Sequence, residues 1–452
     1  MPLIKVLIIS AYPFETPIKT DCADRLPLGP LYALAAAKCA GPLDVKFIDL
    51  SIATTDFDLK KELEKFTPGL AAIGIHSAFV FPLACRLAVQ IKDYNPDTII
   101  IAGGIFPSSQ PDLCLIGTRF DYVLQGEVDE SLPLLIEGIQ NERELATPGL
   151  IVKNPGGTGV NYLCPLGFPD LNKLPRIPEQ GFEIGPYSLI DPLISFREKT
   201  LNISSARGCP YKCAFCCYRI IGNGRRRVRN AVLLAKDLNS LSLEYGIRQF
   251  NFVDDNFLCS IQRVVAFCKL IANNNFLWRC QARIDSFKTK NLSFLGDLLY
   301  KSGCRLISFG IESGDAELLK KIHKPIDLIW AKHVCKTLMG IGIGVRVYVI
   351  VGLPYQTFDS IEQTKQFLRQ VNPTNVSVEI FVPHRGSLIG DNPGSWGVEW
   401  ETANIESRIQ RLDWLVDSTE SKVQPCIHTK WLSAREIGNA RDDIQKEWPP
   451  VK

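Results

Sequence analysis

Along the first 140 residues, short unbroken apolar runs alternate with stretches whose apolar positions recur every three or four residues. The runs at 5–9, 45–48, 71–75, 98–101 and 122–124 have the length and β-branched content of buried strands. The stretches between them, such as 31–38 and 83–91, have helical spacing. Strands without polar alternation are buried on both faces, so this pattern predicts a parallel sheet covered by helices on two sides. Gly103-Gly104 directly follows the fourth run. A glycine pair there would let a ligand approach the backbone at the carboxyl edge of the sheet; a tight turn is the alternative.

The pattern breaks between 146 and 194, where Pro155, Gly156, Gly157, Pro165, Pro169, Pro175, Pro178, Gly181, Pro186 and Pro192 crowd together. Such a density of breakers leaves no periodic helix, and the stretch reads as an extended linker between domains. Alternation resumes with runs at 201–204, 249–253, 278–282, 306–310, 345–351 and 376–381. Leu234, Leu238, Leu241 and Tyr245 mark one face of an intervening helix. Six βα units are fewer than a closed barrel needs, so an open, partial barrel is expected over 195–387. From 388 the chain turns Trp- and charge-rich (Trp396, Trp400, Trp414, Trp431, Trp448) and reads as mainly helical.

Composition narrows the class. With 452 residues, 46% hydrophobic and 22% charged, the chain has material for two or three folded domains, which excludes disorder for most of it. Its 51 basic and 48 acidic residues leave a net charge of +3, too little to draw nucleic acid or an anionic membrane. Fifteen cysteines are an odd number and cannot all pair. No signal peptide or spanning apolar stretch is recognisable, so a soluble cytoplasmic protein with reduced thiols is expected.

One segment concentrates the chemistry: Ser205-Ala206-Arg207-Gly208-Cys209-Pro210-Tyr211-Lys212-Cys213-Ala214-Phe215-Cys216-Cys217. Cys209, Cys213 and Cys216 form a C-x3-C-x2-C array after the first strand of the second domain. Three such thiolates can hold three irons of a [4Fe–4S] cube and leave the fourth open for substrate chemistry. The competing reading is zinc with Cys217 as fourth ligand, although tetrahedral zinc sites usually draw on two separated pairs.

With Phe215 just before Cys216, this array resembles the signature of the radical S-adenosylmethionine (SAM) enzymes. Other blocks resemble that superfamily in the same order: Phe252-Val253-Asp254-Asp255-Asn256-Phe257, Trp278-Arg279-Cys280-Gln281-Ala282-Arg283, Gly303-Cys304, Phe309-Gly310-Ile311-Glu312-Ser313-Gly314 and Gly352-Leu353-Pro354-Tyr355-Gln356-Thr357. The first 145 residues resemble the cobalamin-binding domain of one branch, through Pro27-Leu28-Gly29-Pro30-Leu31, Gly103-Gly104 and Asp121-Tyr122-Val123-Leu124-Gln125-Gly126-Glu127. The resemblance implies an α/β chain in four parts. These are a Rossmann-like cobalamin-binding domain (1–145), a linker (146–194), a radical SAM partial (β/α)6 barrel (195–387) and a helical C-terminal extension (388–452).

It further implies three cofactors, a [4Fe–4S] cluster on Cys209, Cys213 and Cys216, SAM, and cobalamin. The expected activity is methylation of an unactivated carbon through methylcobalamin and a 5′-deoxyadenosyl radical. Ring-forming or rearrangement chemistry with the same cofactors, and a non-catalytic cobalamin or iron–sulfur sensor, are the alternatives. Phe215, Gly310, Glu312 and Ser313 are the expected SAM-side residues, with Gln281, Arg283 and Arg346 pointing from strands as further candidates. Ser77, Gly103, Gly104 and Glu127 are expected to meet the corrin or its tail. The loop after the first strand has no histidine, so cobalt gains no D-x-H-x-x-G ligand there; His76 is a possible substitute. Asp254-Asp255 reads as a base, a cofactor contact or a helix cap, and the basic run 225–229 as a solvated face or an anion site. Expected partners are a small-molecule, lipid or peptide substrate and a reductant such as flavodoxin or ferredoxin, without nucleic acid or a transmembrane segment.

Overall fold

A computed structural model describes residues 4–11, 26–53, 57–78, 80–187, 190–191, 193–289, 291–400 and 425–449. The chain divides into two compact units. The first takes the residues up to 188 and the short stretch 220–223, and the second takes most of the rest.

In the first unit, β1 (Val6–Ser10), β2 (Val45–Asp49), β3 (Leu70–Gly74), β4 (Ile99–Gly103) and β5 (Tyr122–Leu124) form a parallel sheet in the order β2-β1-β3-β4-β5. Every residue of β1 is buried because both faces are covered. Val6 and Ile8 pack with Leu132, Leu135 and Ile136, and Leu7 and Ile9 pack with Leu59, Leu87 and Ile91 on the other face. The strand order reverses between β1 and β3, and in such sheets ligands bind outside the carboxyl ends beside that reversal.

The stretch read as a linker requires correction. Within it, β6 (Leu150–Lys153) adds to this sheet antiparallel to β5, and β7 (Val160–Tyr162) pairs antiparallel with β6. Leu150 and Ile151 are wholly buried. Gly149, at φ +72°, allows the entry turn, since a Cβ would stand 2.3 Å from the Gln125 carbonyl oxygen. Short edge strands tolerate flanking Pro and Gly, which is why breaker density concealed them.

The second unit contains β8 (Ile190–Asp191), β9 (Ser195–Ile203), β10 (Ala206–Arg207), β11 (Arg227–Val228), β12 (Gln249–Phe252), β13 (Leu277–Ala282), β14 (Cys304–Glu312), β15 (Gly344–Val351) and β16 (Asn375–Ile380). Six of them, β9 and β12 to β16, run parallel in chain order, with helices in the crossovers and β8 antiparallel at the edge. This is the expected α/β partial barrel. One face is apolar: Phe252 and Trp278 meet Phe257 and Phe267 at ring separations of 4.5–6.2 Å. The other face is polar, with Asn202, Asn251 and Arg279 in one register row and Gln281, Ser308 and Arg346 in the next. Arg279 is neutralised there by Asp191 at 2.5 Å, both side chains being 3% exposed. Helix Ala231–Tyr245 buries Leu234, Leu238 and Leu241 as the spacing predicts; Asn230 caps its start and left-handed Gly246 its end.

In the C-terminal extension, the described residues carry a strand pair beside their helices. β17 (Val398–Trp400) pairs antiparallel with β18 (Ile427–Thr429), and helix Ala434–Glu447 packs on β15 and β16. Trp414 lies outside the described residues. Trp396 and Trp431 flank Tyr355, at 6.3 and 4.6 Å between ring centroids. Among the described residues no helix is long and apolar enough to cross a membrane.

Candidate active site

The three cysteines lie on the loop that leaves β10 at the carboxyl end of the sheet. Asp254, two residues beyond β12 and 2% exposed, ties down the start of this loop. Its Oδ1 accepts from the backbone N–H of Ser205 (2.6 Å) and of Ala206 (2.9 Å), and its Oδ2 accepts from the Ser205 hydroxyl (2.5 Å). Arg263 donates to the same hydroxyl oxygen at 2.5 Å. Burial pushes the Asp254 carboxyl up, and Arg263 and these bonds oppose that shift. Asp254 is therefore a loop anchor, and of its sequence readings the helix cap falls away. The next turn needs Gly208, whose added Cβ would lie 2.0 Å from the Arg225 carbonyl oxygen.

The rest of the loop is held by its own backbone. Ala214 donates its N–H to the Ile322 carbonyl (2.9 Å) and accepts from the Ile389 N–H (3.0 Å), while Cys216 N–H bonds the Cys213 carbonyl (3.1 Å). Cys213 is buried and Cys209 and Cys216 are half-buried. Burial raises the Cys209 thiol and lifts Cys216 to about 12, so loading a metal must displace protons. Among the described residues no three His, Cys, Asp or Glu side chains close on one ion-sized point. Three thiolates on one short loop fit a cube, which spreads them over separate irons.

Beside this loop, β14 ends at Glu312, a non-glycine residue at φ +66°. Its carboxylate accepts from Lys324 at 2.5 Å in an ion pair whose side chains are 8% and 9% exposed. The Lys324 ammonium also lies 5.7 Å from the Phe215 ring centroid. Gly310 lies beneath the pair, where a Cβ would stand 2.3 Å from Glu312 Oε1 and 2.8 Å from Lys324 Nζ and make the two side chains shift. Phe215, Gly310 and Glu312 are thus brought together through a lysine that carries no motif. Ser313 is wholly buried, and its hydroxyl accepts from Asp315 N–H (3.1 Å) and bonds Thr364 (3.3 Å), which shapes the turn after β14.

Arg283 lies on Cys213, donating from Nη1 to Sγ at 3.5 Å. Arg346 stacks over Tyr348 (4.9 Å), and Gln281 stands in register with Ser308 between them on the polar face. In the first unit, Ser77, Gly103, Gly104 and Glu127 all follow or end strands β3 to β5 and are partly exposed. Gly103 has open space, a Cβ meeting only Val128 at 4.0 Å. Gly104 is fixed by packing, because a Cβ would lie 2.5 Å from the Ile75 carbonyl oxygen at φ +110°. Lys324, Arg263 and Asp285 were missed by sequence reasoning, each being a single charged residue outside the motif blocks.

Residues 203–368 match the model of the Radical SAM superfamily. This stretch is a radical SAM domain. It begins at the end of β9 and takes in the cysteine loop and Glu312. The chain is 25% identical over 443 residues to an uncharacterized methyltransferase, PH0819, of Pyrococcus horikoshii, covering 97% of this chain and 90% of that one. It is 22% identical to the anaerobic magnesium-protoporphyrin IX monomethyl ester cyclase of Rubrivivax gelatinosus, over 78% of this chain and 63% of the relative. Among solved structures, it resembles the radical SAM methyltransferase TsrM of Kitasatospora setae with cobalamin and [4Fe–4S] cluster bound. The TM-score is 0.74 at 18% identity, covering 99% of this chain and 93% of the other. That likeness extends the shared fold beyond the radical SAM domain.

Proposed function

We propose that the protein is a cobalamin-dependent radical SAM enzyme that methylates an unactivated carbon. The observation that supports it most is the anchored loop bearing Cys209, Cys213 and Cys216 inside a radical SAM domain, with Glu312 beside it. When bound, the cluster supplies the electron that cleaves SAM to methionine and a 5′-deoxyadenosyl radical, and cobalamin supplies the methyl carrier.

The chain's own residues position and shield. Cys209, Cys213 and Cys216 would ligate three irons, and the Asp254 anchor fixes where they stand. Glu312 is an acceptor for the ribose hydroxyls or amino group of SAM, and Gly310 lets the ligand approach the β14 backbone. Phe215 and Lys324 close this side against water, which limits quenching of a radical. In the first unit, the carboxyl ends of β3 to β5 are the cobalamin-binding edge of a Rossmann-like domain, with Ser77, Gly103 and Glu127 available for contact and Gly104 shaping the turn. A half-exposed glycine with open space above it fits close approach of a large planar ring.

Ring closure with the same cofactors is the second reading, supported by the similarity to the cyclase. Substrate class, a flavodoxin or ferredoxin reductant and a cytoplasmic location belong to this proposal and rest on the family chemistry. The test is anaerobic reconstitution followed by reduction in the presence of methyl-labelled SAM. About four irons per chain and release of 5′-deoxyadenosine are expected, and Cys213→Ala is expected to abolish both. Production of 5′-deoxyadenosine by that variant would sink the assignment.

A further inference from the structure

Arg283 is held more tightly than a cofactor-binding side chain awaiting its ligand. It lies just past β13 and is 8% exposed. Its backbone N–H donates to Asn256 Oδ1 (3.2 Å), which fixes the start of the side chain. Its Nε and Nη2 fork onto the Asp285 carboxylate at 3.2 and 2.9 Å. Its plane lies 3.6 Å from the centroid of the Tyr211 ring, so the loop itself clamps the guanidinium. The remaining nitrogen, Nη1, is thereby aimed at Cys213 Sγ, 3.5 Å away.

We propose that Arg283 is a positioning residue that sets the reduction potential of the cluster through Cys213, and that it is not a contact for SAM. The inference rests on the cluster assignment above. A reduced cluster carries one more negative charge than an oxidised one, and the charge resides partly on the thiolate sulfurs. A cation donating a hydrogen bond to one of those sulfurs favours the reduced state, and hydrogen bonds to the sulfurs are among the levers on such potentials. The bond exists in both oxidation states, so only its strengthening on reduction counts, and an effect of about tenfold in the reduced-to-oxidised ratio is expected. Asp285 does not cancel the effect, because it neutralises the far side of the guanidinium while fixing the direction of Nη1. Lysine would keep a cation there without the planar fork that aims it.

The experiment is an EPR-monitored redox titration of reconstituted wild-type protein, Arg283→Lys and Arg283→Gln, each with iron content and SAM affinity measured. The midpoint is expected to fall in the order wild type, Lys, Gln. At the wild-type midpoint, the Gln variant's reduced-to-oxidised ratio should be about tenfold lower. SAM affinity should change less than twofold. Equal midpoints in all three proteins with equal iron content would overturn the proposal, as would an unchanged midpoint with a large loss of SAM affinity. If Arg283→Gln fails to retain iron, the wild-type and Lys midpoints decide, with equality counting against it. Absence of a [4Fe–4S] signal in wild type would instead refute the cluster assignment itself.

Discussion

Gly310 and Asp254 show how single residues set the site's geometry in opposite ways. Gly310 acts by having no side chain: a methyl group would intrude on both oxygen and nitrogen of the Glu312–Lys324 pair. Gly310→Ala should therefore strain the pair by about 1–3 kcal/mol. The expected result is weakened SAM binding with iron content unchanged, measurable by calorimetry on the reconstituted protein. Asp254 acts through what it accepts. Replacing it with Asn leaves Arg263 buried without a counter-charge and puts an amide NH2, which cannot accept, where Oδ2 takes the Ser205 hydroxyl. A loss of about 3–5 kcal/mol is expected from breaking such a pair. Urea unfolding of Asp254→Asn should report it, together with poor retention of iron.

At the scale of elements, the C-terminal helix belongs to the barrel. Ile437 is wholly buried, with its side chain 3.1 Å from where a Cβ on Gly352 would sit. Gly352 opens the Gly-Leu-Pro-Tyr block, so the helix packs directly behind a segment that resembles the family. Ile437→Ala should cost about 2–5 kcal/mol, seen as a lower thermal midpoint of the whole second unit. The sequence revealed the parallel strands of both sheets because strands buried on both faces leave apolar runs that turn residues cannot mask. It hid β6 and β7 because Leu150-Ile151-Val152 is too short to stand out among prolines and glycines. It hid β17 and β18 because they pair across residues 401–424, and a non-local pair leaves no local period. The cysteine array was legible since its ligands are neighbours in the chain. Lys324, Arg263 and Asp285 were not, because burial of a lone charge is decided by tertiary contacts.

For the molecule as a whole, the division into two units predicts that its cofactors can be lost separately. The cysteines and Glu312 lie in the second unit, whereas Gly103 and the carboxyl ends of β3 to β5 lie in the first, and each unit buries its own apolar core. Cys213→Ala removes a ligand without touching the first sheet. It should keep cobalamin, visible in its absorbance after gel filtration, while losing the cluster and all 5′-deoxyadenosine formation. Gly103→Leu fills the open space above β4 with a side chain and leaves the cysteine loop intact. It should retain iron and its EPR signal but bind cobalamin at least tenfold more weakly, since about 1.4 kcal/mol of steric loss suffices for that factor. The two variants together distinguish the readings of function. Release of 5′-deoxyadenosine by Gly103→Leu without transfer of labelled methyl would assign the radical step to the second unit and the methyl carrier to the first. Undiminished methyl transfer by Gly103→Leu would show that the carboxyl edge of the first sheet is not where cobalamin acts.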